Sequence, residues 1–431
     1  MKRYGFLVES VIAEDNLSNA FDAVMQGKRN TFVTRYCKRN KAAVLRNLAG
    51  EIQRDVYTPA GYREFTVNES EKERIIQSLN FKDRIVLHAI MDVLHDKVFR
   101  NLFIRDTYAS LQNRGMHDGL NRIKTALKDV QGTAYCLKTD IRKFYSSVDK
   151  SVLIDMLKSK IKDVRMLNML ARIINSYQSA TGIPIGYHSS QLLGNFYLSG
   201  LDLHAKNELK VKYYFRYCDG IVILSASKEE LHLLFEHIKE FTEERLHLAI
   251  KDNHQIFPVE SRGIDFLGYV TRHDYILVRK RIKQRAARRL HFIRSKSRKF
   301  VVTASFWGWA KHADSTNLFY KLTGMKNFKE LGIYYKPTDG KKRFDGSLTP
   351  LGNLQNCEVT ILDFETEIKT KEGEGRYVVQ YELDGAKSKF ITNSEEMKSI
   401  LDQIRELKEL PFKATIHRKA FGQGKTKYVF V

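Results

Sequence analysis

The chain has 431 residues, of which 43% are hydrophobic, and it carries 73 Lys and Arg residues against 50 Asp and Glu residues. The hydrophobic fraction suffices for a sizeable core, and the net charge of +23 favours a nucleic-acid partner over a merely solvated basic surface. The four cysteines lie far apart without a CxxC pair, which argues against a zinc site or a disulfide framework. The chain start lacks the apolar run of a signal peptide and no stretch approaches 18 apolar residues, so we predict a cytoplasmic protein without a membrane span.

The first half of the chain shows mostly helical patterns. Apolar residues recur at helical spacing across residues 1–60, an N-terminal helical extension, and again across 82–99. A short strand ends at Asp140, and helices are predicted across about 150–178 and 189–208. These elements would supply the core of a large α+β domain.

The clearest local pattern is a hairpin. Two runs rich in aromatic and β-branched residues, VKYYFRY and IVILSA, flank Cys218-Asp219-Gly220, and Asp-Gly between such runs is a strong hairpin signal. A helix over 227–245 and a strand pair ending in GIDFLGYV follow. Residues 272–299 then hold twelve Lys and Arg against one acid. A solvated basic helix is one interpretation, but so many like charges would repel one another unless a polyanion neutralised them, which favours contact with a phosphate backbone.

A helical segment with both tryptophans, Trp307 and Trp309, follows the basic stretch, and both are predicted to be core residues. Beyond it, residues 332–356 are rich in Gly, Pro, Asp and Asn, as a linker would be. The remaining elements are strands at about 357–369, 376–383 and 387–392, a helix after Asn393, and strands at about 412–419 and 425–431. This β-β-β-α-β-β order matches that of an OB-fold, a fold that often binds single strands, although an accessory docking module fits equally well. Tyr377, Tyr381 and Phe390 could stack on bases or lie in the core.

Two aspartates stand out by position, Asp140 at a strand end and Asp219 in the hairpin turn. Phosphoryl transfer to a nucleotide needs divalent metal held by hard carboxylate oxygens, and adjacent strand ends would supply them from a rigid platform. Each aspartate alone is also consistent with an ordinary turn residue. The interpretation therefore depends on the order of the surrounding motifs.

That order, across roughly residues 60–325, resembles reverse transcriptases related to those of group II introns. KERIIQSLNFKDRIV (72–86) and DTYASLQNRGMHDGL resemble the two fingers motifs, and TDIRKFYSSV (139–148) resembles the palm motif with the first metal aspartate. GIDFLGYV (263–270) resembles the primer-grip hairpin, and the basic segment with the tryptophan helix resembles the thumb, which holds the template–primer duplex.

The resemblance implies roles for individual residues. A two-ion Mg²⁺ site would use Asp140, a backbone carbonyl near Ile141, and Asp219. The triphosphate of the incoming nucleotide would meet Arg74 and Lys72, and the aromatic ring that excludes a ribose 2′-OH would be Tyr145. The primer grip would comprise Phe266, Leu267 and Gly268. The family's pyrophosphate-protonating lysine has only a loose counterpart, near Lys251 and His254, where a solvated loop fits as well.

The segment IPIGYHSSQ (183–191) discriminates most within the family. Most reverse transcriptases carry Q-G-x-x-x-S-P here, whereas Ile185, Gly186, Ser190 and Gln191 give I-G-x-x-x-S-Q, which resembles the enzymes of diversity-generating retroelements. Those enzymes copy a template-repeat RNA into cDNA and misincorporate opposite adenines. Gly186 would let the backbone approach the template–nucleotide pair, and Ile185 would replace a hydrogen-bonding amide and loosen the constraint on base-pair geometry. All four residues are predicted to bind the nucleotide.

Gly220 departs from the family's pattern. The Y-x-D-D motif reads Tyr217-Cys218-Asp219-Gly220, so the second aspartate is absent. Three interpretations stay open: a natural non-catalytic homologue, a substitution made to stop turnover, or weak activity from the two remaining aspartates. We expect an inactive or strongly impaired chain with an intact fold, because glycine suits the hairpin.

These observations predict an α+β fold, a right-hand polymerase with fingers, palm and helical thumb, followed by a small β-rich domain with OB-like connectivity. The predicted boundaries are 1–60 for the helical extension, 61–270 for fingers and palm, 271–331 for the thumb, 332–356 for the linker and 357–431 for the β-rich domain. The implied function is RNA-directed, error-prone DNA synthesis in a bacterial or phage retroelement. The implied partners are template RNA, the cDNA primer, dNTPs and an accessory variability protein, a basic helical-bundle pentamer. The alternatives are a group II intron-type or phage-defence reverse transcriptase, and a non-catalytic RNA-binding scaffold with a polymerase fold.

Overall fold

A computed structural model describes residues 3–28, 31–69, 72–325, 340–422 and 425–431. The chain divides into two compact units, Met1–Met325 and Lys326–Val431. The first is a mixed α/β unit and the second is a β-rich domain, as the sequence predicts. No helix in the described part of the chain is long and apolar enough to cross a membrane.

The first unit begins with four helices, in agreement with the helical spacing of residues 1–60. Their apolar faces pack into one core with helix α5, and residues such as Val11, Ala20 and Phe21 are buried there. The helices are α1 (Leu7–Val11), α2 (Glu14–Met25), α3 (Phe32–Arg39), α4 (Lys41–Gln53) and α5 (Phe81–Leu94). The last continues as a π-helical turn, His95–Phe99.

An antiparallel hairpin of β1 (Tyr62–Glu69) and β2 (Lys72–Leu79) precedes α5. The sequence did not predict it, because apolar side chains on both faces of these strands are exposed and no inward–outward alternation develops. The hairpin ends at Asn80, whose side chain accepts a hydrogen bond from the amide of Asp83 and caps α5.

The central sheet has five strands in the order β3-β5-β6-β4-β7. These are β3 (Thr107–Tyr108), β4 (Tyr135–Asp140), β5 (Tyr213–Tyr217), β6 (Gly220–Ser225) and β7 (Gln255–Pro258). Strand β4 lies antiparallel to β6 with Asp140 opposite Gly220, and β5 joins β6 through Cys218 and Asp219. This register brings the end of β4 and the hairpin turn to one edge of the sheet.

Seven helices frame this sheet. The region predicted as helical over 150–178 is two helices, since Asp163 caps and starts a second one, and the region 189–208 ends in a π-helical turn at 204–208. The helices are α6 (Met116–Ala126), α7 (Phe144–Ser147), α8 (Lys150–Lys160), α9 (Val164–Asn175), α10 (His188–Leu203), α11 (Lys228–Leu246) and α12 (Val259–Arg262). Helix α10 is buried along most of its length, which fits the apolar run that predicts it.

A small three-stranded sheet and three helices complete the first unit. They are β8 (Ile264–Phe266), β9 (Tyr269–Thr271), β10 (Ile276–Val278), α13 (Lys280–Phe292), α14 (Lys296–Ala310) and α15 (Thr316–Thr323). Trp309 packs against their core, whereas Trp307 is 39% exposed. The prediction that both tryptophans are core residues therefore holds for Trp309 only.

The second unit has the predicted β-β-β-α-β-β order. It comprises β11 (Glu358–Thr370), β12 (Gly373–Leu383), β13 (Ala386–Thr392), α16 (Glu395–Leu407), β14 (Phe412–Phe421) and β15 (Lys425–Phe430), in the sheet order β13-β12-β11-β14-β15. Tyr377, Tyr381 and Phe390 are buried in its core, so they do not offer rings to bases. Part of the predicted linker 332–356 lies outside the described residues, and part is built into this unit, because Ser347 and Thr349 hydrogen-bond with Lys389 of β13.

Candidate active site

Asp140 and Asp219 meet at one edge of the central sheet. Asp140 is the last residue of β4, and the carbonyl of Asp219 accepts a hydrogen bond of 3.1 Å from the amide of Ile141. The side chain of Asp140 is 40% exposed and that of Asp219 is half-buried. The structure thus brings together the two aspartates that the sequence singles out.

The electrostatics of this pair favour a bound cation. Burial raises the pKa of Asp219, and the negative charge of Asp140 raises it further, whereas Lys251 and Arg74 lower it. A divalent cation between the carboxylates would relieve this repulsion. In the described parts of the chain, however, no group of three or more His, Cys, Asp or Glu side chains is placed to hold a metal ion.

Gly220 lies directly opposite Asp140 on the neighbouring strand β6. A Cβ atom built at this position would be 3.2 Å from Oδ1 of Asp140 and 3.7 Å from the Phe266 ring. The residue in the left-handed conformation is Cys218, with φ of 52°, and Gly220 does not have a positive φ. The turn therefore does not require glycine at 220, contrary to the expectation from the Asp-Gly pattern.

A cleft of about 600 Å³ opens beside this edge. Its walls include Arg74 of β2, Tyr145 of α7, Ile185 and Cys218. Four predicted nucleotide-binding residues, Arg74, Tyr145, Ile185 and Gly186, thus line one space, and Ser190 and Gln191 also border it. The side chain of Lys72 lies outside the described residues.

Tyr145 connects the cleft to the hairpin turn. Its hydroxyl hydrogen-bonds with the thiol of Cys218. Burial raises the pKa of Tyr145 well above its usual value, and the nearby Cys218 and Asp219 act in the same direction. The hydroxyl therefore stays protonated, and the ring forms a fixed, uncharged wall.

Gly186 is required by a close backbone approach. Its φ is +117°, and a Cβ atom there would lie 2.4 Å from the carbonyl oxygen of Gln77. The amide of Gln77 also donates a hydrogen bond of 2.8 Å to the carbonyl of Ile185. The glycine thus lets this segment dock on β2, a role that does not depend on the template–nucleotide pair.

The side chains of Ser190 and Gln191 differ in burial and in hydrogen-bond partner. The buried hydroxyl of Ser190 donates to the carbonyl of Pro184 at 2.7 Å, which closes the turn before α10. Gln191 is exposed, and its Oε1 accepts a hydrogen bond of 2.6 Å from Ser110. Only Gln191 of the two has side-chain groups that face solvent.

The predicted primer-grip residues form the tight turn between β8 and β9. Leu267 and Gly268 both have positive φ, 53° and 86°. A Cβ atom at Gly268 would lie 2.4 Å from the Trp309 ring, so only glycine fits there. Phe266 lies on the side of Gly220, so the turn stands between the aspartate edge and α14.

The sequence did not predict a firm role for Lys251 and gave none for Arg216. Nζ of Lys251 lies 3.7 Å from Oδ2 of Asp140, whereas His254 is stacked on Phe235 at a ring distance of 3.7 Å. Arg216 is fully buried and paired with Asp202 beneath the turn. The only available signal for Arg216 was a charged residue inside an otherwise aromatic strand.

Comparison with known proteins agrees with this geometry. Residues 66–271 match the family model described as reverse transcriptase (RNA-dependent DNA polymerase). The chain contains a reverse transcriptase domain. The matched residues include most of the hairpin β1–β2, most of the cleft lining, both aspartates and the turn after β8.

The chain also has similarity of low sequence identity to several intron-encoded proteins. It is 21% identical over 464 residues to the group II intron-encoded protein LtrA of Lactococcus lactis, covering 85% of this chain and 76% of that protein. It is 28% identical over 181 residues to an uncharacterized 91 kDa protein in the cob intron of Schizosaccharomyces pombe, covering 40% and 20%. A telomerase structure from Candida albicans in complex with a fragment of telomeric RNA aligns with a TM-score of 0.40 and 10% identity, covering 63% of this chain and 59% of that one. Residues 345–431 match a domain of unknown function, outside the reverse transcriptase domain.

Proposed function

We propose that this chain is an RNA-directed DNA polymerase whose activity is strongly impaired by Gly220. The observation that carries the proposal is that Asp140 and Asp219 meet beside a cleft lined by Arg74 and Tyr145, inside a reverse transcriptase domain. In this interpretation β1 and β2 are the fingers, the central sheet is the palm, and α13–α15 are the thumb.

Each wall of the cleft would bind one part of the incoming nucleotide. Arg74 would donate forked hydrogen bonds to the triphosphate, since a guanidinium matches phosphate geometry. The ring of Tyr145 would pack against the sugar and leave no room for a 2′-OH. Lys251, beside Asp140, would neutralise charge that develops on the phosphates.

The acidic edge fits one Mg²⁺ better than two. Asp140 and Asp219 offer hard oxygen ligands, and the backbone carbonyl of Ile141 is a further candidate. Mg²⁺ held there would orient the phosphates and activate the 3′-hydroxyl of the primer. The second ion would lack the carboxylate that Gly220 does not supply, which is the physical reason for impaired turnover.

Restoring the carboxylate tests this proposal. We expect Gly220→Asp to increase primer extension at least about tenfold over the unmodified chain, because one additional metal ligand stabilises the transition state by a few kcal/mol. Asp140 is half-exposed and can move by the few tenths of an ångström that the new side chain needs. Gly220→Asn, of equal size but without the charge, is the control and should give no increase.

The same experiment addresses the alternative of a non-catalytic RNA-binding scaffold, which the absent carboxylate favours. Both proteins should be assayed with RNA template, primer and candidate accessory protein, in Mg²⁺ and in Mn²⁺. Extension by neither protein would support the scaffold and contradict the polymerase proposal.

We further propose that the template is the repeat RNA of a diversity-generating retroelement. The support is the I-G-x-x-x-S-Q form of residues 185–191 and the position of Ile185 in the cleft wall. The similarity to intron-encoded proteins keeps a group II intron-type enzyme as the second candidate. In the Gly220→Asp protein, Ile185→Gln should lower misincorporation opposite template adenines, with Ile185→Val as the control. An unchanged error spectrum would favour the intron-type enzyme.

A further inference from the structure

A buried polar network lies beneath the turn that carries Asp219. Arg216 of β5 has no exposed surface and donates to both carboxylate oxygens of Asp202, at 2.7 and 2.6 Å. The same carboxylate accepts from Tyr214 at 2.9 Å and from Thr107 at 2.8 Å. Such a pair adds little stability relative to apolar residues of equal volume, so its value lies in fixing geometry.

One arm of the network reaches the catalytic turn. Nη1 of Arg216 donates a hydrogen bond of 2.9 Å to the carbonyl of Cys218. Cys218 is held in the left-handed conformation, which costs a non-glycine residue about 1 kcal/mol. The guanidinium thus stabilises a strained turn immediately before Asp219.

The other arm reaches the rim of the cleft. Nη1 of Arg216 also donates to Oδ1 of Asn195 at 3.1 Å, and Nδ2 of Asn195 donates to the carbonyl of Ala109 at 2.9 Å. Ala109 and Ser110 both have left-handed backbones, with φ of 81° and 55°. Two successive non-glycine residues in this region need outside support, and Ser110 in turn holds the side chain of Gln191.

We propose that Arg216 and Asn195 are positioning residues that hold the Asp219 turn and the Ala109–Ser110 loop in one fixed relation. Ser110 of the loop holds the side chain of Gln191, on α10, at the cleft, and the turn presents Asp219 at the acidic edge. The two arms of hydrogen bonds from Arg216 therefore set the distance between the nucleotide and the carboxylate. The inference rests on the proposed polymerase function for its catalytic meaning, but its structural content does not need activity.

Three variants distinguish a loss of the link between the turn and the loop from a general loss of stability. Arg216→Lys keeps a positive charge beside Asp202 but cannot reach both the Cys218 carbonyl and Asn195. Asn195→Asp removes the donor to Ala109 and draws the guanidinium away from Cys218. Tyr214→Phe is the matched control, since it removes a buried hydrogen bond to Asp202 and leaves both arms intact.

Amide hydrogen exchange of the full chain, read by mass spectrometry, decides the proposal without polymerase activity. We expect Arg216→Lys and Asn195→Asp each to speed exchange about tenfold or more in two peptides, one covering 107–114 and one covering 217–222. Helix α9 serves as an internal reference and should be unchanged, as should both peptides in Tyr214→Phe. Faster exchange in only one of the two peptides, or equal effects in Tyr214→Phe, would overturn the coupling.

Kinetics in the Gly220→Asp protein supply the catalytic readout. Arg216→Lys should lower kcat about tenfold or more and change the KM for dNTP by a smaller factor, because the Asp219 carboxylate is displaced while Arg74 and Ile185, which the network does not contact, still line the cleft. A rise in KM alone would contradict a positioning role. If the Gly220→Asp protein extends no primer, the polymerase proposal fails, and the exchange experiment still decides the coupling.

Discussion

The two five-stranded sheets of this chain differ in the kinds of side chain that they bury. The central sheet buries an arginine–aspartate pair, and places half-exposed carboxylates at its strand ends. The sheet of the second unit buries Phe364, Phe390 and Tyr381 in an apolar core, and the side-chain pair at the edge of this core, Tyr377 with Asp402, is only partly buried.

This difference predicts how substitutions in the two sheets should act. A buried ion pair and two neighbouring carboxylates are costly in stability, and they are retained where geometry matters more than stability. An aromatic core gives stability without any chemical group facing solvent. Substitutions in the first sheet should therefore change turnover, and substitutions in the second should change the free energy of unfolding.

The largest expected effect is on turnover in the central sheet. In the Gly220→Asp protein, Asp140→Asn should lower primer extension about 1,000-fold, because it removes a metal ligand, while the melting temperature changes little. Asp252→Asn, which changes an exposed acid directly after Lys251 in the sequence, is the control. A parallel loss of thermal stability in Asp140→Asn would break the comparison.

The core of the second sheet should respond in the opposite way. Phe390 is fully buried, and Phe390→Ala should lower the free energy of unfolding of the second unit by about 3 kcal/mol, as measured by denaturant titration. Lys387→Ala, at an exposed position of the same strand, should change it by less than about 0.5 kcal/mol. Similar values for the two variants would mean that this core is not tightly packed.

Gly186 tests whether docking on the hairpin β1–β2 shapes the cleft. Gly186→Ala should destabilise the first unit by about 2 kcal/mol and raise the KM for dNTP in the active protein, because the methyl group meets the carbonyl of Gln77. Gly61 also has a positive φ, +92°, but open space around it. Gly61→Ala should therefore show the smaller, strain-only effect, and equal losses would assign the whole cost to backbone strain.

The smallest expected effect concerns a carboxylate with a structural role. Asp149 caps α8, and hydrogen bonds from Ser151 and His247 lower its pKa to about 2. A carboxyl whose pKa is depressed on folding stabilises above its unfolded pKa, and this contribution is lost as pH falls toward the folded value. Asp149→Ala should thus cost about 1 kcal/mol at pH 7, and less below pH 4.

The control for that prediction is Asp149→Asn, which keeps a capping side chain without the charge. It should be less stable than the unmodified chain at pH 7, by the contribution of the charge alone, and the difference should shrink as the pH falls from 4 toward 2. A loss that is independent of pH in Asp149→Ala would show that the cap, rather than the charge, carries the effect. Unlike Asp219, whose pKa is raised, Asp149 would then be a purely structural acid.

The amino-acid sequence alone determined the local elements with strong periodicity or turn chemistry. The hairpin around Asp219, the strand ending at Asp140 and the order of elements in the second unit all follow from β-rich runs and helical spacing, which act over a few residues. The Asp-Gly pair indicated a hairpin but not its turn residues, which are Cys218 and Asp219. The hairpin β1–β2 escaped prediction, because its exposed strands have no apolar face to reveal them.

Only the tertiary structure decided which residues share a site and what each one does there. It placed Asp140 opposite Gly220 and Lys251 beside Asp140. It also showed that Gly186 is required by the close approach of the Gln77 carbonyl. It also revealed that Arg216 joins the turn to a loop more than a hundred residues away, at Ala109. Contacts between distant segments leave no periodic pattern in the chain, since they depend on how separate elements pack. The position of Gly220 opposite Asp140, on which the proposed loss of activity depends, is one of these contacts.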